Sequence, residues 1–506
     1  MRHTDELIRY ASVELRPDPS RVIALPFLPG QEGMSAGISR AESVVGRVLA
    51  LTEDEVAAEL SAVRASFGER HPDLAATFDR NFALVAHHVP RRDDITAERT
   101  QLIGAYFTQE FSLEGAALFN PSIVPDPDPK NPRPGELPFV MSLRAVGEGH
   151  VSTIEFRTGR FGPGDSVTID RPASRLGTGT ATAAPMTLDA LRMSLGEQRD
   201  APAAEGLLRL LPAQFTPADL DQALDRNLRD GFGRSGSAGL IDRIRRLAAS
   251  NYDLTFPAEL DLSARVLHPT SPAEDRGLED ARFTRFAEDD GSVTYYATYT
   301  AFDGSSIAPH LIRTDDFRTF SMRQLTGRAA TNKGMALFPR RVGGTLWALC
   351  RWDRENLSVT RSDDALHWQE PVVVQRPQHT WDLVQLGTCG SPIETPDGWL
   401  AITHGVGPAR TYALGAMLLD LDDPSTVLAV LAEPLMAVRP SERDGYVPNV
   451  VYSCGGLVRD DTILLPYGAA DATVGFALID LPGLLHRLRG NAVARPLDDT
   501  VSQVVG

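Results

Sequence analysis

Between about residue 40 and residue 118, apolar residues recur three and four apart, as in Asp54-Glu55-Val56-Ala57-Ala58-Glu59-Leu60 and Leu102-Ile103-Gly104-Ala105-Tyr106-Phe107. That spacing lays one apolar stripe along a helix, and it predicts an all-α N-terminal region over residues 1–118. The pattern stops at Asn120-Pro121-Ser122 and at the alternating prolines of Pro125-Asp126-Pro127-Asp128-Pro129, which deny the chain helix and favour extended geometry. First strands are predicted over 119–185, with Phe139 to Arg157 reading as two strands joined by the turn Gly147-Glu148-Gly149. Helical spacing returns over 186–250, in Leu220-Asp221-Gln222-Ala223-Leu224 and Ile241-Asp242-Arg243-Ile244-Arg245-Arg246-Leu247, and reads as an insertion. Beyond it, 251–490 is a succession of short β-branched and aromatic runs separated by Asp, Gly and Pro, the pattern of antiparallel sheet with tight turns. Its strand candidates include Thr294 to Thr300, Leu346 to Arg351, Leu400 to His404 and Thr462 to Pro466, and residues 491–506 form a tail.

A weak repeat narrows the fold class. Thr314-Asp315-Asp316-Phe317-Arg318-Thr319-Phe320 recurs about 48 residues later as Ser362-Asp363-Asp364-Ala365-Leu366-His367-Trp368, a period that fits one four-stranded propeller blade. A β-sandwich needs no such repeated turn. The expected architecture is therefore mainly β, a propeller with an N-terminal helical region and a helical insertion.

Composition removes several function classes. At 506 residues and 42% hydrophobic content the chain can bury an ordinary core without metal or disulfide support. A formal charge of −17 repels nucleic acid and anionic lipid, so an anionic ligand would need a local cluster of Lys, Arg and His. Three scattered cysteines, Cys350, Cys389 and Cys454, are no disulfide framework and point to a reducing, cytoplasmic setting. No secretory leader is evident, and no run reaches the roughly 20 apolar residues that span a bilayer.

Familiar cofactor motifs are missing. There is no phosphate-binding Gly-x-x-x-x-Gly-Lys loop, no Gly-x-Ser-x-Gly elbow, and no His-Glu-x-x-His or Cys-x-x-Cys spacing, so neither metal nor organic cofactor is expected. One Gly-x-Gly-x-x-Gly match, Gly231 to Gly236, follows a helical pattern rather than a strand and reads as a connector.

Several polar residues stand in unusual settings, each with two readings. Asp280, in Gly277-Leu278-Glu279-Asp280-Ala281-Arg282-Phe283, is either a general acid whose pKa its surroundings raise or a surface turn pairing Asp with Arg. Lys333, in Asn332-Lys333-Gly334, either meets an anion or ends a strand in solvent. Arg351, after Leu346-Trp347-Ala348-Leu349-Cys350, either grips a phosphate or carboxylate or pairs with Asp353 or Glu355. His404, closing Trp399-Leu400-Ala401-Ile402-Thr403, is either a site residue or a satisfied structural one. Tyr299, Trp352, Trp381, Tyr446 and Asn449 are candidates for lining a sugar cleft, although most aromatics in β-rich proteins are core.

Taken in order, Phe119-Asn120-Pro121-Ser122, Glu279-Asp280-Ala281-Arg282, Tyr299-Thr300-Ala301-Phe302, Asn332-Lys333-Gly334 with Leu337-Phe338-Pro339, the Trp399 to Val406 stretch, Val447-Pro448-Asn449-Val450-Val451 and Tyr467-Gly468-Ala469-Ala470-Asp471 resemble glycoside hydrolase family 130, the mannoside phosphorylases and β-mannosidases. The resemblance runs from about Phe119 to Leu485 and skips the helical block. It implies a five-bladed β-propeller with the active site at one mouth of the central channel. It places the general acid of the family's Glu-Asp-Pro-Arg motif on Asp280, with Ala281 in place of the proline. In such enzymes the proton is thought to reach the glycosidic oxygen through a mannose hydroxyl while phosphate attacks the anomeric carbon from the opposite face, inverting configuration.

By the same resemblance Lys333, Arg351 and His404 hold phosphate, while a further family Lys falls on Gln385. Asn120, Ser122, Arg144 and Asp471 fall on mannose-contacting positions, and Glu148 or His150, in a turn longer than the family's, is within reach of the sugar. The implied function is an inverting β-mannoside phosphorylase acting on β-linked manno-oligosaccharides and releasing α-mannose 1-phosphate, with inorganic phosphate as co-substrate. The alternatives are an inverting exo-β-mannosidase that uses water and a non-catalytic carbohydrate-binding propeller. The two helical regions are expected to pack on the propeller, close the cleft or build an interface in a homo-oligomer.

Overall fold

The computed structural model describes residues 7–29, 39–90, 94–129, 133–197, 201–229 and 238–491. Among them, most strands fall into five antiparallel groups, with two further two-stranded pairs beside them. The first is Ala117–Pro125, Leu137–Val146, Ser152–Gly162 and Ser166–Ile169. The second is Gly277–Ala287, Val293–Phe302, Ile307–Thr314 and Thr319–Gln324, extended at its outer edge by Tyr252–Thr255 and Thr180–Ala183. The third comprises Ala336–Leu337, Leu346–Cys350, Leu357–Ser362 and Val372–Gln375, and the fourth Gln385–Thr388, Gly398–Val406, Tyr412–Leu419 and Val427–Val430. The fifth joins Val451–Tyr452, Thr462–Ala469 and Thr473–Asp480 to a strand from the start of the chain, Ile8–Tyr10. The molecule is mainly β, and each predicted strand candidate falls within one of these strands or overruns its end by a single residue.

The sequence repeat has a physical basis. Thr314 and Ser362 each end the third strand of a group, and the hydroxyl of each accepts the N–H three residues on, from Phe317 at 2.9 Å and Ala365 at 3.0 Å. Asp316 and Asp364 then accept the next two backbone N–H groups at 2.8–2.9 Å. Side chains thus replace the ladder partners the backbone loses at the corner.

Helices Arg40–Leu49, Glu53–Phe67, Leu74–Val85 and Ala97–Tyr106 bury Val45, Val56, Leu60, Phe78, Leu102 and Ile103 against one another. Thr52 and Glu55 form a reciprocal capping box, and the hydroxyls of Ser39 and Thr96 cap two further N-termini. The stretch 1–118 is not helical throughout: Ile8–Tyr10, Val22–Pro26 and Thr108–Ser112 are strands, the last two paired with each other. Val22-Ile23-Ala24-Leu25-Pro26 is a short apolar run with no helical period, which is why it extends.

The block between residues 186 and 250 holds helices Leu188–Glu197, Ala201–Leu208, Pro217–Arg229 and Ala238–Ala249 around a core of their own, including Leu191, Leu195, Leu208, Phe215, Leu220 and Ile244. Strands Thr180–Ala183 and Tyr252–Thr255, on either side of the block, pair with each other, so entry and exit are stapled together at the edge of the second sheet. Gly231 to Gly236 and residues 492–506 lie outside the described residues. No described helix is long and apolar enough to cross a membrane.

Candidate functional site

Two inner strands break their ladders at the same kind of place. Pairing shifts between Phe119 and Ser122 in one, and between Glu279 and Arg282 in the other. At these bulges Asn120 (φ 49°) and Asp280 (φ 56°) adopt left-handed backbone conformations, a strained choice for residues other than glycine. The bulges bring both side chains together, and Asn120 Nδ2 donates to Asp280 Oδ1 at 2.6 Å. Strain of this kind persists where the surroundings over-determine it, and it concentrates at working sites.

Arg144, from the strand paired with the Asn120 strand, donates to Asp280 Oδ1 at 3.2 Å and to Glu279 Oε1 at 2.6 Å, and its Nε donates to Ser152 Oγ at 3.0 Å. Lys333 Nζ lies 3.8 Å from Glu279 Oε2. Behind the acid, Arg282 donates to the Asp280 carbonyl at 2.9 Å and to the Tyr452 hydroxyl at 2.5 Å.

Asp280 and Glu279 are buried, which excludes the surface-turn reading. The expectation of a raised Asp280 pKa is also wrong. Burial alone would push it up, but Arg144, Arg282 and Lys333 and the Asn120 hydrogen bond together hold it at about 2. The raised carboxyl is its neighbour Asp471, pushed up to about 7 by burial and by the Asp280 charge. An ionised carboxylate thus stands near one that holds a proton up to neutrality.

A cationic wall stands on the Arg282 side. Asn332 Nδ2 donates to the Arg351 carbonyl at 2.9 Å, tying the Lys333 loop to the strand end that carries Arg351. Asp353 spends its carboxylate on Glu355 N, Asn356 N and Asn356 Nδ2, and no Arg351 ion pair occurs among the described residues. His404 lies against Tyr452 and Tyr412, with ring centroids 4.7 and 6.0 Å away. Burial, Arg351 and Arg282 push its pKa well below the usual histidine range, so the ring is neutral. Arg351 Nε and Nη1, Arg282 Nε and His404 Nδ1 are all buried without a hydrogen-bond partner in the structure. An unpaired buried donor costs about 1–3 kcal/mol, so the guanidinium N–H groups of Arg351 and Arg282 suit an anion that would accept from them, while the neutral His404 ring has a single N–H and spends it on the Thr388 carbonyl.

The other predicted residues divide. Ser122 is wholly buried and its Oγ accepts the Phe283 N–H at 2.9 Å, which ties two inner strands together instead of facing a cleft. Tyr299 is also internal, bonded to Glu274 at 2.6 Å. Trp381 fills the space above Gly405 and Gly415, where a Cβ would collide with its ring. Asn449 accepts from Arg443 Nε at 2.9 Å, the Trp352 ring lies 4.8 Å from the Arg328 guanidinium, and Tyr446 is exposed and bonded to His150. Gln385 pairs with Val406, two residues beyond His404. Sequence reasoning missed Arg282 and Tyr452. Arg282 was visible inside the quoted motif, whereas nothing around Tyr452 marks it before folding brings it to Arg282.

Comparison with known proteins gives the chain's relatives. The family model described as beta-1,4-mannooligosaccharide phosphorylase matches residues 254–489. A 1,2-beta-oligomannan phosphorylase from Thermoanaerobacter sp. strain X514 is 35% identical over 224 residues, covering 44% of this chain and 74% of its own. A beta-1,2-mannobiose phosphorylase from the same organism is 35% identical over 220 residues, covering 42% of this chain and 70% of its own.

Proposed function

The chain belongs to glycoside hydrolase family 130, and on that premise we propose that it is an inverting β-mannoside phosphorylase that releases α-mannose 1-phosphate from β-linked manno-oligosaccharides. The observation that carries the choice of nucleophile is the set of buried, unpartnered guanidinium donors on Arg351 and Arg282, beside His404 and with Lys333 near Glu279. The five strand groups are read as five propeller blades, closed by the strand Ile8–Tyr10, with this site at one mouth of the channel.

In this reading Asn120, Arg144 and Asp471 hold the mannosyl ring, and Asp280 is the proton source for the leaving oxygen, through a hydroxyl of that ring. Phosphate on the cationic wall attacks the anomeric carbon from the face opposite the leaving oxygen. The glycosidic C–O bond breaks with its electron pair on that oxygen, which takes the proton. Asp280 must first be protonated, and a bound anion helps by offsetting the cations that hold its pKa at about 2. Phosphate attacks with its own proton, HPO4²⁻ giving the monoprotonated ester, and loss of that proton at neutral pH balances the one delivered to the leaving sugar. No cofactor is needed, since phosphate is a co-substrate. A cytoplasmic setting is supported by three buried cysteines that form no disulfide.

Gln385, where the family has a Lys, favours hydrolysis by the same acid as the second reading. Incubation with β-1,2- and β-1,4-linked mannosides, with and without inorganic phosphate, separates the two. The proposal expects mannose 1-phosphate only when phosphate is present; free mannose released at a rate indifferent to phosphate would overturn it.

A further inference from the structure

One exposed aromatic near the site has no part in the mechanism above. Tyr446 is 41% exposed, yet its hydroxyl is fixed by His150 Nδ1 at 2.7 Å, a bond between residues 296 apart in sequence. The two rings lie 5.9 Å apart at 38°. Below them, the Tyr446 ring is 6.4 Å from Phe119, and Phe119 carries the Arg144 guanidinium 5.2 Å from its centroid. Arg144 in turn holds Glu279 and Asp280. A continuous wall therefore climbs from the acid to an aromatic pair at the rim.

Both loops are built to hold that pair. His150 (φ 59°) follows Gly149 (φ 64°), two consecutive left-handed residues in a turn closed by His150 N to Gly147 O at 3.2 Å and Gly147 N to Val151 O at 3.1 Å. The same pair of left-handed residues recurs at Gly164-Asp165 and Ala409-Arg410, so the turn is a regular, hydrogen-bonded element of the fold that fixes where His150 stands. The Tyr446 loop is pinned by Val447 N to Ala470 O at 2.9 Å, next to Asp471, and by Asn449 N to Arg443 O at 3.0 Å. An exposed aromatic immobilised on two sides presents a flat apolar face beside polar atoms, which is how a protein meets the C–H face of a pyranose at little entropic cost.

We propose that Tyr446 and His150 form the platform for the leaving sugar, the residue joined to the mannosyl group through the bond that is cleaved. The inference rests on the reading that a β-mannoside is cleaved at Asp280. If the mannosyl group occupies the inner pocket at Asn120 and Arg144, the departing sugar lies one residue nearer solvent, where the aromatic pair stands. The ring of Tyr446 supplies stacking, and the bond to His150 fixes its angle.

The test compares two substrates, β-1,2-mannobiose and methyl β-mannoside, the second of which has no leaving sugar. For Tyr446→Ala, kcat/KM on mannobiose falls about 10-fold or more while kcat/KM on methyl β-mannoside stays within about twofold. Tyr446→Phe and His150→Ala each remove the same hydrogen bond. Both give a smaller loss, of about three- to fivefold, on mannobiose alone, and combining them adds little. An equal loss on both substrates means a structural role and overturns the proposal, as does no loss on either. The comparison reads total bond cleavage, so it holds whether the wild-type product is mannose 1-phosphate or mannose. Only the identity of that product bears on the phosphorylase reading.

Discussion

Asp280 and Asp471 titrate on opposite sides of their ordinary carboxyl value of 3.8, one held at about 2 and the other pushed up to about 7. Their effects on stability have opposite signs. The folded-state pKa of Asp280 is depressed, so its contribution is present above about pH 4 and is lost as pH falls toward 2. For Asp471 the folded state keeps a proton that the unfolded chain releases between about pH 4 and 7, so stability declines as pH rises through that window. Asp471→Asn is therefore expected to raise the thermal midpoint relative to wild type at pH 8 and to leave it nearly unchanged at pH 4; an equal shift at both values would show that its charge is not the cause. At this scale the sequence conveyed residue types well. Asp280, Lys333, Arg351 and His404 come close enough to act on one another's charge, but the ionisation of Asp280 was misread because, besides Arg282 in its own motif, its controlling cations Arg144 and Lys333 meet it only after folding.

Between residue and fold, the working unit is a strand pair with a bulge on the inside and a side-chain-capped corner on the outside. The bulges at Asn120 and Asp280 are only faintly marked in the sequence: Asn and Asp tolerate left-handed geometry better than other non-glycine residues, but most of the described Asn and Asp residues do not adopt it. The corners were legible because their mechanism is written in Ser/Thr and Asp at fixed offsets. Ser362 is wholly buried and its Oγ accepts from Asp364 N and Ala365 N, so Ser362→Ala strands buried donors and should cost about 1–3 kcal/mol of stability by denaturant titration. A cost near zero would mean the repeated motif is only decorative. The strands at Val22–Pro26 and Thr108–Ser112 escaped the sequence reading because two short runs 82 residues apart look unremarkable until they pair.

Across the whole molecule, the first and last described strands share one sheet. Ile8–Tyr10 pairs with Thr473–Asp480, the Arg439 guanidinium lies 4.0 Å from the Tyr10 ring centroid, and Leu15 bridges to Val474. Nearby, Arg21, Glu114, Glu155 and Arg157 form a fully buried ionic cluster that fixes the N-terminal segment to the first sheet. Removing residues 1–12 bares the edge of Thr473–Asp480, and it should lower the thermal midpoint and promote aggregation measurable by light scattering. An unchanged midpoint would show that the closing strand is dispensable. The mainly β class and the two helical blocks were readable from periodicity, whereas the pairing of Ile8–Tyr10 with Thr473–Asp480 joins strands from opposite ends of the described chain.

The central claim is that phosphate, and not water, attacks the anomeric carbon. A proton and phosphorus NMR time course of β-1,2-mannobiose with inorganic phosphate tests it most directly. The account predicts α-mannose 1-phosphate as the first product, appearing in step with one equivalent of free mannose. Two equivalents of free mannose with no sugar phosphate at any time, or a β-configured phosphate, would contradict it.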